Sequence, residues 1–414
     1  METPQIIFWI IIGILVADFI VGKIVSAKNY AWRDKKHSKH LSDVYDDDKY
    51  NTFQAYSKAN FKIGTISSSL MFILTLSVFF GEGFAWLDQF LSQYIDSKIW
   101  LSIVFFAAIA VVTGIISLPF SIYDTFVIEE RFGFNKTTPR TFMFDMLKSL
   151  LLSVVIGGGL LFLILQIYYA THTWFWLLAW IIISLFSVFM AEFYSTLIVP
   201  LFNKQKPLEE GELKEKISAF ARRAGFQLDN VYVIDNSKRS TRANAYFTGL
   251  GKKKRIVLFD TLINDFTPDE IVGVLAHEIG HYKKHHIHKS LVLSLINTGF
   301  VLFLFGLFVG RDVFSQALGA EEAKFHLGAI IFMVLYSPVS TATGILMNKL
   351  SRKNEREADD FAAQHGQSQV LINALKKLAR KNLSNLTPHP WHVFLNYSHP
   401  PLAERVKRLK ENGA

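Results

Sequence analysis

Long apolar runs constrain the fold of this chain more than any other feature, because they recur through most of its 414 residues. A helix needs roughly 20 apolar residues to cross the hydrocarbon core of a bilayer, which is about 30 Å thick. About seven runs are long enough, or nearly so, at roughly residues 5–21, 63–86, 99–122, 149–170, 174–200, 289–310 and 326–347. Since 50% of the residues are hydrophobic and only 19% are charged, the sequence excludes a soluble protein and predicts a mainly α-helical, polytopic membrane protein.

The connections between these runs alternate in positive charge, and this alternation predicts a topology. Lys and Arg are frequent in 22–62 and 123–148, and also in the 201–288 segment and the tail. The remaining connections contain few of them. Because positive loops stay in the cytoplasm, we expect the N-terminus outside and the C-terminus in the cytoplasm. The net charge of +9 then belongs to the inside loops and gives no indication of nucleic-acid binding.

The apolar runs divide the chain into membrane and soluble parts. Residues 1–202 contain five expected spans, residues 289–350 contain the sixth and seventh, and residues 203–288 and 351–414 are soluble. We expect the two soluble parts to form one cytoplasmic α+β domain. The first part opens with a charged amphipathic helix near Glu209–Ala224. Three predicted strands follow, at Val231–Ile234, Ala245–Phe247 and Arg255–Phe259, with a glycine-containing turn at Thr248–Lys254 that predicts a hairpin.

The first candidate for chemistry is His277-Glu278-Ile279-Gly280-His281. On a helix, two histidines four residues apart share one face and can bind a single Zn²⁺, with the glutamate beside the open coordination position. The segment Thr267-Pro268-Asp269-Glu270 predicts the start of that helix, since it offers an N-cap hydroxyl, a proline at the first position and a carboxylate at the third. The alternative is a surface helix with solvated His and Glu. The motif predicts a zinc peptidase site that needs a third protein ligand.

The segment Asn354-Glu355-Arg356-Glu357-Ala358-Asp359 is the candidate source of the third ligand. Glu355 and Asp359 lie four residues apart, so one can bind the metal while the other accepts a hydrogen bond from a ligand histidine. Glu357 competes for the ligand role, but it points about 200° around the helix from Glu355 and has no acidic residue four positions later. Without the first motif, this segment is an ordinary charged helix face. The chain has no cysteine, so thiolate ligands and disulfides are excluded.

The strand just before the zinc helix has a second interpretation. Metallopeptidases commonly bind an extended substrate by pairing it with such a strand, a β-augmentation. The alternative is a plain hairpin with no contact to substrate.

Taken together, these segments resemble the M48 family of membrane zinc metallopeptidases, and within it the Ste24-type, CAAX prenyl endopeptidase branch. The resemblance extends over nearly the whole chain. It rests on the motifs above and on Asn244–Phe247, Arg255–Leu262, Arg131–Thr137 and His399-Pro400-Pro401 with Arg405. The His-Glu-x-x-His motif is shared by many zinc enzymes, whereas the other motifs together are specific.

The resemblance implies a ring of seven transmembrane helices around a water-filled chamber, with a gluzincin-like peptidase domain on the cytoplasmic side. It implies one Zn²⁺ per chain on His277, His281 and Glu355, with Glu278 as catalytic base. It gives Asp359 the role of orienter or proton donor, Asn244 that of a partner for the substrate backbone, and His399 and Arg405 that of partners for an oxyanion or a substrate carboxylate. The alternative for His399 and Arg405 is a proline-ended turn and a solvated helix. The chain departs from the family at Thr241-Arg242-Ala243 and at Glu357, where Gln is common.

The expected activity is hydrolysis of peptide bonds in peptides or proteins at the lipid bilayer. The resemblance implies prenylated substrates that lose the three residues after the lipidated cysteine. Two alternatives remain open: quality-control cleavage of membrane proteins without a prenyl group, and a seven-helix transporter with a structural metal. The second is disfavoured because Glu278 would then have no reason to lie beside an open coordination position.

Overall fold

The computed structural model describes residues 2–35, 39–226, 231–250 and 255–413 and is mainly helical. The helices are α1 (Thr3–Trp32), α2 (Asp47–Phe80), α3 (Gly83–Ser92), α4 (Lys98–Tyr123), α5 (Pro139–Leu152), α6 (Gly159–Thr171), α7 (Phe175–Leu197), α8 (Val199–Phe202), α9 (Glu212–Arg223), α10 (Asp260–Asp265), α11 (Pro268–Lys283), α12 (His286–Phe308), α13 (Asp312–Gln316), α14 (Phe325–Gln364), α15 (Ser368–Lys381), α16 (Pro390–Asn396) and α17 (Leu402–Asn412). Two π-helical turns continue α4 and join α5 to α6, at Asp124–Glu129 and Ser153–Gly158.

Among the described residues, 6 helical runs are long and apolar enough to cross a membrane. The run Pro139–Phe202 has 64 residues and would measure about 96 Å as one helix, roughly three times the hydrocarbon thickness. A 3₁₀ segment at His172–Trp174 divides it, and His172 has a left-handed φ of 40°. When the two halves are counted separately, the described residues contain seven candidate spans, in agreement with the number that the sequence predicts.

The second span ends earlier than predicted. Helix α2 stops at Phe80, and the N–H of Gly81 bonds back to the carbonyl oxygen of Ser77 at 2.9 Å. Glu82 then adopts a left-handed conformation with a φ of 49°, which breaks the helix before α3 begins. The apolar run continues to residue 86 only because α3 is itself rich in apolar side chains, so residues 83–86 belong to a separate helix.

The spans pack loosely against one another. Between 6% and 17% of the residues in their apolar windows are buried. Large apolar side chains such as Ile115 and Leu185 are exposed on them, as expected of surfaces that face lipid. The buried side chains of the spans gather in two apolar clusters, one around Phe105 and one around Phe305.

Four short strands form one sheet in the order β1 (Gln205–Pro207), β2 (Val231–Ile234), β4 (Arg255–Phe259) and β3 (Ala245–Thr248). Strands β3 and β4 pair antiparallel, while β2 and β4 pair parallel. The three predicted strands and the hairpin pairing are confirmed, although the Gly251–Lys254 part of the turn lies outside the described residues. Strand β1 was not predicted, because three residues that include a proline show no alternation.

The position of the sheet edge corrects one prediction. The strand just before the zinc helix, Arg255–Phe259, pairs with a strand on each side and has no free edge for a substrate. Strand β3 is the outer strand instead. The sequence did not show this, because the parallel pairing of β2 with β4 is a tertiary contact.

The two basic loops pack against the soluble domain. Leu41 and Phe53 from the first loop and Phe134 from the second belong to the same apolar core as Ile217 of α9 and Leu275 of α11. Loops and soluble domain therefore lie on one side of the spans, as the charge pattern predicts.

Two of the connections with few positive charges, between spans two and three and between spans six and seven, meet at the other end of the spans. The Nε2 atom of His326, at the start of α14, lies 2.8 Å from Oδ1 of Asp88 in α3. Its Nδ1 atom lies 3.0 Å from the hydroxyl of Ser102 in α4. All three side chains are buried, so this cluster ties three elements together.

Candidate metal centre and active site

Helix α11 begins as the sequence predicts. The hydroxyl of Thr267 accepts from the N–H of Glu270 at 3.2 Å, and the carboxylate of Glu270 accepts from the N–H of Thr267 at 2.9 Å. This reciprocal capping box, followed by Pro268 at the first helical position, fixes the start of the helix. His277 and His281 then lie on one face, three turns into the core of the domain.

His277, His281 and Glu355 come together as the predicted ligand set. One potential ligand atom from each residue lies within 4.8 Å of the others. The two Nε2 atoms are 3.1 Å apart, and the Glu355 carboxylate oxygens are 3.4 Å from Nε2 of His277 and 3.3 Å from Nε2 of His281. Nitrogens held 2.0–2.1 Å from a tetrahedral zinc are about 3.3 Å apart, so these atoms are spaced for one metal ion.

A close approach of two helices creates this geometry. A Cβ atom placed on Gly280 would lie 3.0 Å from the Cα of Ala358 and 3.1 Å from the Cβ of Phe361. Only glycine allows α11 and α14 to come so near without displacement. The contact lies between the two motifs and sets the distance from Glu355 to the two histidines.

The hydrogen bonding of Glu355 is a second observation that fits a bound metal ion. Oε2 of Glu355 is buried and has no hydrogen-bond partner among the residues that the structure describes. An ionised oxygen without a partner is costly in a protein interior unless a cation compensates it. A set of two imidazoles and one carboxylate is typical of catalytic zinc sites that keep a fourth position open.

Asp359 lies where the sequence predicts an orienting carboxylate. Its Oδ1 atom is 2.9 Å from Nδ1 of His277, and the side chain is fully buried. Burial and the charge of Arg405 lower the pKa of His277, but its hydrogen bond to Asp359 and the nearby carboxylate of Glu355 outweigh them and raise it to about 9. The carboxylates therefore favour positive charge at this position, which suits a cation.

Arg405 is largely buried, whereas a residue that binds substrate directly is expected to be accessible. Its side chain is 11% exposed and donates from Nε to Oδ2 of Asp359 at 2.9 Å and from Nη2 to Oδ1 at 2.7 Å. This bidentate contact holds the carboxylate that orients His277. Its Nη1 atom is 3.8 Å from Oε2 of Glu355, so the guanidinium borders the ligand set as well.

His399 is exposed beside the ligands. Its side chain is 62% exposed, and its Nε2 atom lies 3.2 Å from Oε1 of Glu355. This position agrees with the expectation that His399 lies near the metal. The exposed imidazole is also accessible enough to contact a substrate.

A cleft of about 370 Å³ connects these residues. Glu278 and Asn244 line it, together with Ala245 and Phe247 of the outer strand β3. Burial raises the pKa of the Glu278 carboxyl, although the nearby histidines and Arg405 oppose the rise. A carboxylate with a raised pKa is a stronger base, which suits proton transfer from water.

Two residues beside the ligands were not assigned from sequence. Nδ1 of His286 lies 3.0 Å from Nδ1 of His281, and Nε2 of His286 lies 3.0 Å from Oε2 of Glu357. Glu357 therefore lies away from the ligand set, as its angular position on the helix predicts. The stretch after His281 is rich in histidine, which could have drawn attention to His286. The spacing of these residues did not show that the backbone turns at His285 and brings His286 against His281.

The fold and the site together define a membrane metallopeptidase. Residues 26–204 match a family described as CAAX prenyl protease N-terminal, five membrane helices, and residues 207–412 match peptidase family M48. A relative named CAAX prenyl protease 1, from Saccharomyces cerevisiae, is 35% identical over 99% of this chain and 96% of its own length. A human protein named CAAX prenyl protease 1 homolog is also 35% identical, over 76% of this chain and 74% of its own length.

A solved structure gives the same result for the fold. The crystal structure of S. mikatae Ste24p superposes with a TM-score of 0.90 at 35% identity and covers 99% of both chains. The chain belongs to peptidase family M48 and is a membrane metalloendopeptidase of the Ste24 type.

Proposed function

We propose that this chain is a zinc endopeptidase with one Zn²⁺ held by His277, His281 and Glu355. The observation that carries the proposal is the convergence of these three side chains on one point beside Glu278, on the wall of an open cleft. Bound zinc would lower the pKa of a water molecule and polarise the scissile carbonyl. The two soluble parts, 203–288 and 351–414, act as one peptidase domain, because each supplies part of the ligand set.

The side chains around the metal site have separate roles in the reaction. Glu278 removes a proton from the attacking water and delivers it to the nitrogen of the leaving amine. Asp359 accepts from Nδ1 of His277 and so keeps Nε2 free for the metal, while Arg405 holds Asp359 in place. His399 donates to the oxygen on which negative charge develops. Its exposure supports this role over the same role for Arg405.

The outer edge of β3 binds the substrate backbone. The N–H of Phe259 donates to the carbonyl oxygen of Asn244 at 3.1 Å, so these two residues form a hydrogen-bonded pair. Such pairs alternate along antiparallel strands, which leaves the N–H and C=O groups of Ala245 and Phe247 pointing away from β4, where the N–H of Ala245 donates to Oδ1 of Asn244 at 2.9 Å. Both residues line the cleft, where an extended peptide can add as a further strand beside Asn244.

The substrates are peptides with a prenylated cysteine near the C-terminus, and the spans hold them at the bilayer. The names of the relatives support this class of substrate. The exposed, loosely packed spans support a chamber that admits a lipid chain together with a polar peptide. The peptidase side faces the cytoplasm, as the positive loops beside it indicate.

The test separates chemistry from metal binding. Glu278→Gln keeps the shape of the side chain but removes the base, so peptidase activity should fall to background with about one zinc per chain retained. His277→Ala should lose both activity and metal. Zinc content is measured by elemental analysis of purified protein, and activity with a farnesylated peptide and the same peptide without the lipid. Turnover by Glu278→Gln at the normal rate would contradict the mechanism, and equal cleavage of both peptides would contradict the substrate class.

A further inference from the structure

Three side chains in hydrogen-bond contact, His281, His286 and Glu357, form a chain that starts at a ligand histidine and ends at a partly exposed carboxylate. His286 is 3% exposed and lies between Nδ1 of His281 and the carboxylate of Glu357, with 3.0 Å contacts to each. We refer to Glu357, His286 and His281 as the outer chain. Its position depends on His285, whose left-handed φ of 58° ends α11 and turns the backbone so that His286 lies against His281.

Proton positions in the outer chain follow from the chemistry of its two ends. An ionised Glu357 can only accept, so Nε2 of His286 carries the hydrogen. In a neutral His286, Nδ1 is then an acceptor, so the hydrogen in the next contact belongs to Nδ1 of His281. The remaining nitrogen of His281, Nε2, therefore has a free lone pair, and this is the atom that faces Glu355 at 3.3 Å.

The two ligand histidines are thus oriented from different directions. Asp359 accepts directly from Nδ1 of His277 at 2.9 Å. The corresponding nitrogen of His281 reaches a carboxylate only through the ring of His286. The opposite arrangement of hydrogens would place a proton on Nε2 of His281, where it would block the ligand position.

We propose that Glu357 and His286 are positioning residues for the metal, which fix the tautomer and ring orientation of His281. This inference rests on the proposed zinc site. It gives Glu357 a role that needs no contact with the metal, since its partner Nε2 of His286 faces away from the ligand set.

The first test uses two substitutions at residue 286 that have the same branching and similar size but differ in the polarity of their two terminal atoms. In His286→Asn the side-chain oxygen stands where Nδ1 stands and can still accept from His281, whereas His286→Leu removes the acceptor. Zinc affinity is measured on the purified full chain by competition with a fluorescent chelator. We expect His286→Leu to bind zinc roughly 10 to 100-fold more weakly, and His286→Asn to remain within about threefold of the unsubstituted protein.

The second test addresses Glu357, whose side chain is 33% exposed and therefore less constrained by packing than His286. Glu357→Ala should weaken zinc binding about threefold to tenfold, and Glu357→Gln, which retains an acceptor oxygen, should weaken it less. Combined with His286→Asn, Glu357→Ala should have no further effect on zinc affinity. The side-chain oxygen of Asn is always an acceptor, so no carboxylate is needed to select a tautomer at residue 286. Glu404→Ala is the matched control, since Glu404 pairs with Arg356 on the surface.

The outcomes separate this inference from the proposed function. Unchanged zinc affinity in both His286→Leu and Glu357→Ala would overturn the outer chain while leaving the zinc site intact. Equal loss in His286→Asn and His286→Leu would also overturn it, because packing alone would then explain the effect. If His286→Leu does not fold, the Glu357 variants decide. Failure of the zinc site itself would show separately, as unchanged zinc binding in His277→Ala.

Discussion

At the scale of single residues, the buried carboxylate of Asp359 contacts the ligand histidine His277, so its loss should affect metal binding. Asp359→Ala should weaken zinc binding by roughly 10 to 100-fold, because His277 loses its acceptor and Arg405 is left without its bidentate partner next to a cation. Chelator competition measures the change. Asp360→Ala is the control, since Asp360 follows in sequence but pairs with Arg408. Equal affinity in the Asp359 variant and the control would assign Asp359 a role in packing alone.

His399 allows a prediction that concerns turnover and not metal. If it donates to the developing oxyanion, His399→Ala should lower kcat by about 10² to 10³-fold while zinc content stays near one per chain. Steady-state kinetics and elemental analysis on the same preparation test this. His392→Ala serves as the control, because His392 contacts Asn396 on the same stretch of chain. A large rise in KM with unchanged kcat would show that His399 binds substrate in the ground state instead.

At the scale of elements, the site depends on the distance between α11 and α14. Gly280→Ala adds a methyl group 3.0 Å from the Cα of Ala358, so the helices must separate. We expect the free energy of unfolding to fall by about 1–3 kcal/mol, with weaker zinc binding because Glu355 moves with α14. Thermal denaturation in detergent and chelator competition measure the two effects.

A glycine of the partner helix α14, Gly344, supplies the control for that experiment. A Cβ on Gly344 would meet nothing within 4 Å. Gly344→Ala should therefore leave zinc binding unchanged and should not lower stability, since Ala favours a helix over Gly. Similar losses in both variants would show that helix α14 is sensitive to any substitution and that the close approach at Gly280 has no special role.

At the scale of the whole molecule, the proposed orientation predicts which loops are accessible from outside the cell. The absence of native cysteine makes single-cysteine labelling clean. Cysteines at Gln93 and Thr173 should react with a membrane-impermeant maleimide in intact cells, whereas cysteines at Ser42 and Glu411 should react only after lysis. All four positions are exposed. Reaction of Glu411→Cys from outside would place the active site in the wrong compartment for prenylated cytoplasmic substrates.

Much of the architecture could be predicted from sequence because its causes are local. Apolar runs long enough to cross a bilayer must form helices, since a lipid environment leaves backbone groups no other partners. The capping box at Thr267, the spacing of His277 and His281 and the angular separation of Glu355 from Glu357 are likewise properties of one helix. The sequence did not predict the helix break at Glu82, because a single left-handed residue does not change the mean hydropathy of the apolar run around it.

Other features were decided only by tertiary structure. The sheet edge beside the cleft belongs to β3 and not to β4, because β2 pairs with the other side of β4. Arg405 turned inward to Asp359, and His286 joined His281 to Glu357, through contacts between separate elements. The sequence by itself determined which side chains can bind a metal and which segments cross the membrane. The packing of α11, α14 and α17 decided which of the remaining charged groups hold those ligands in place, because hydrogen-bond geometry depends on distances that periodicity cannot specify.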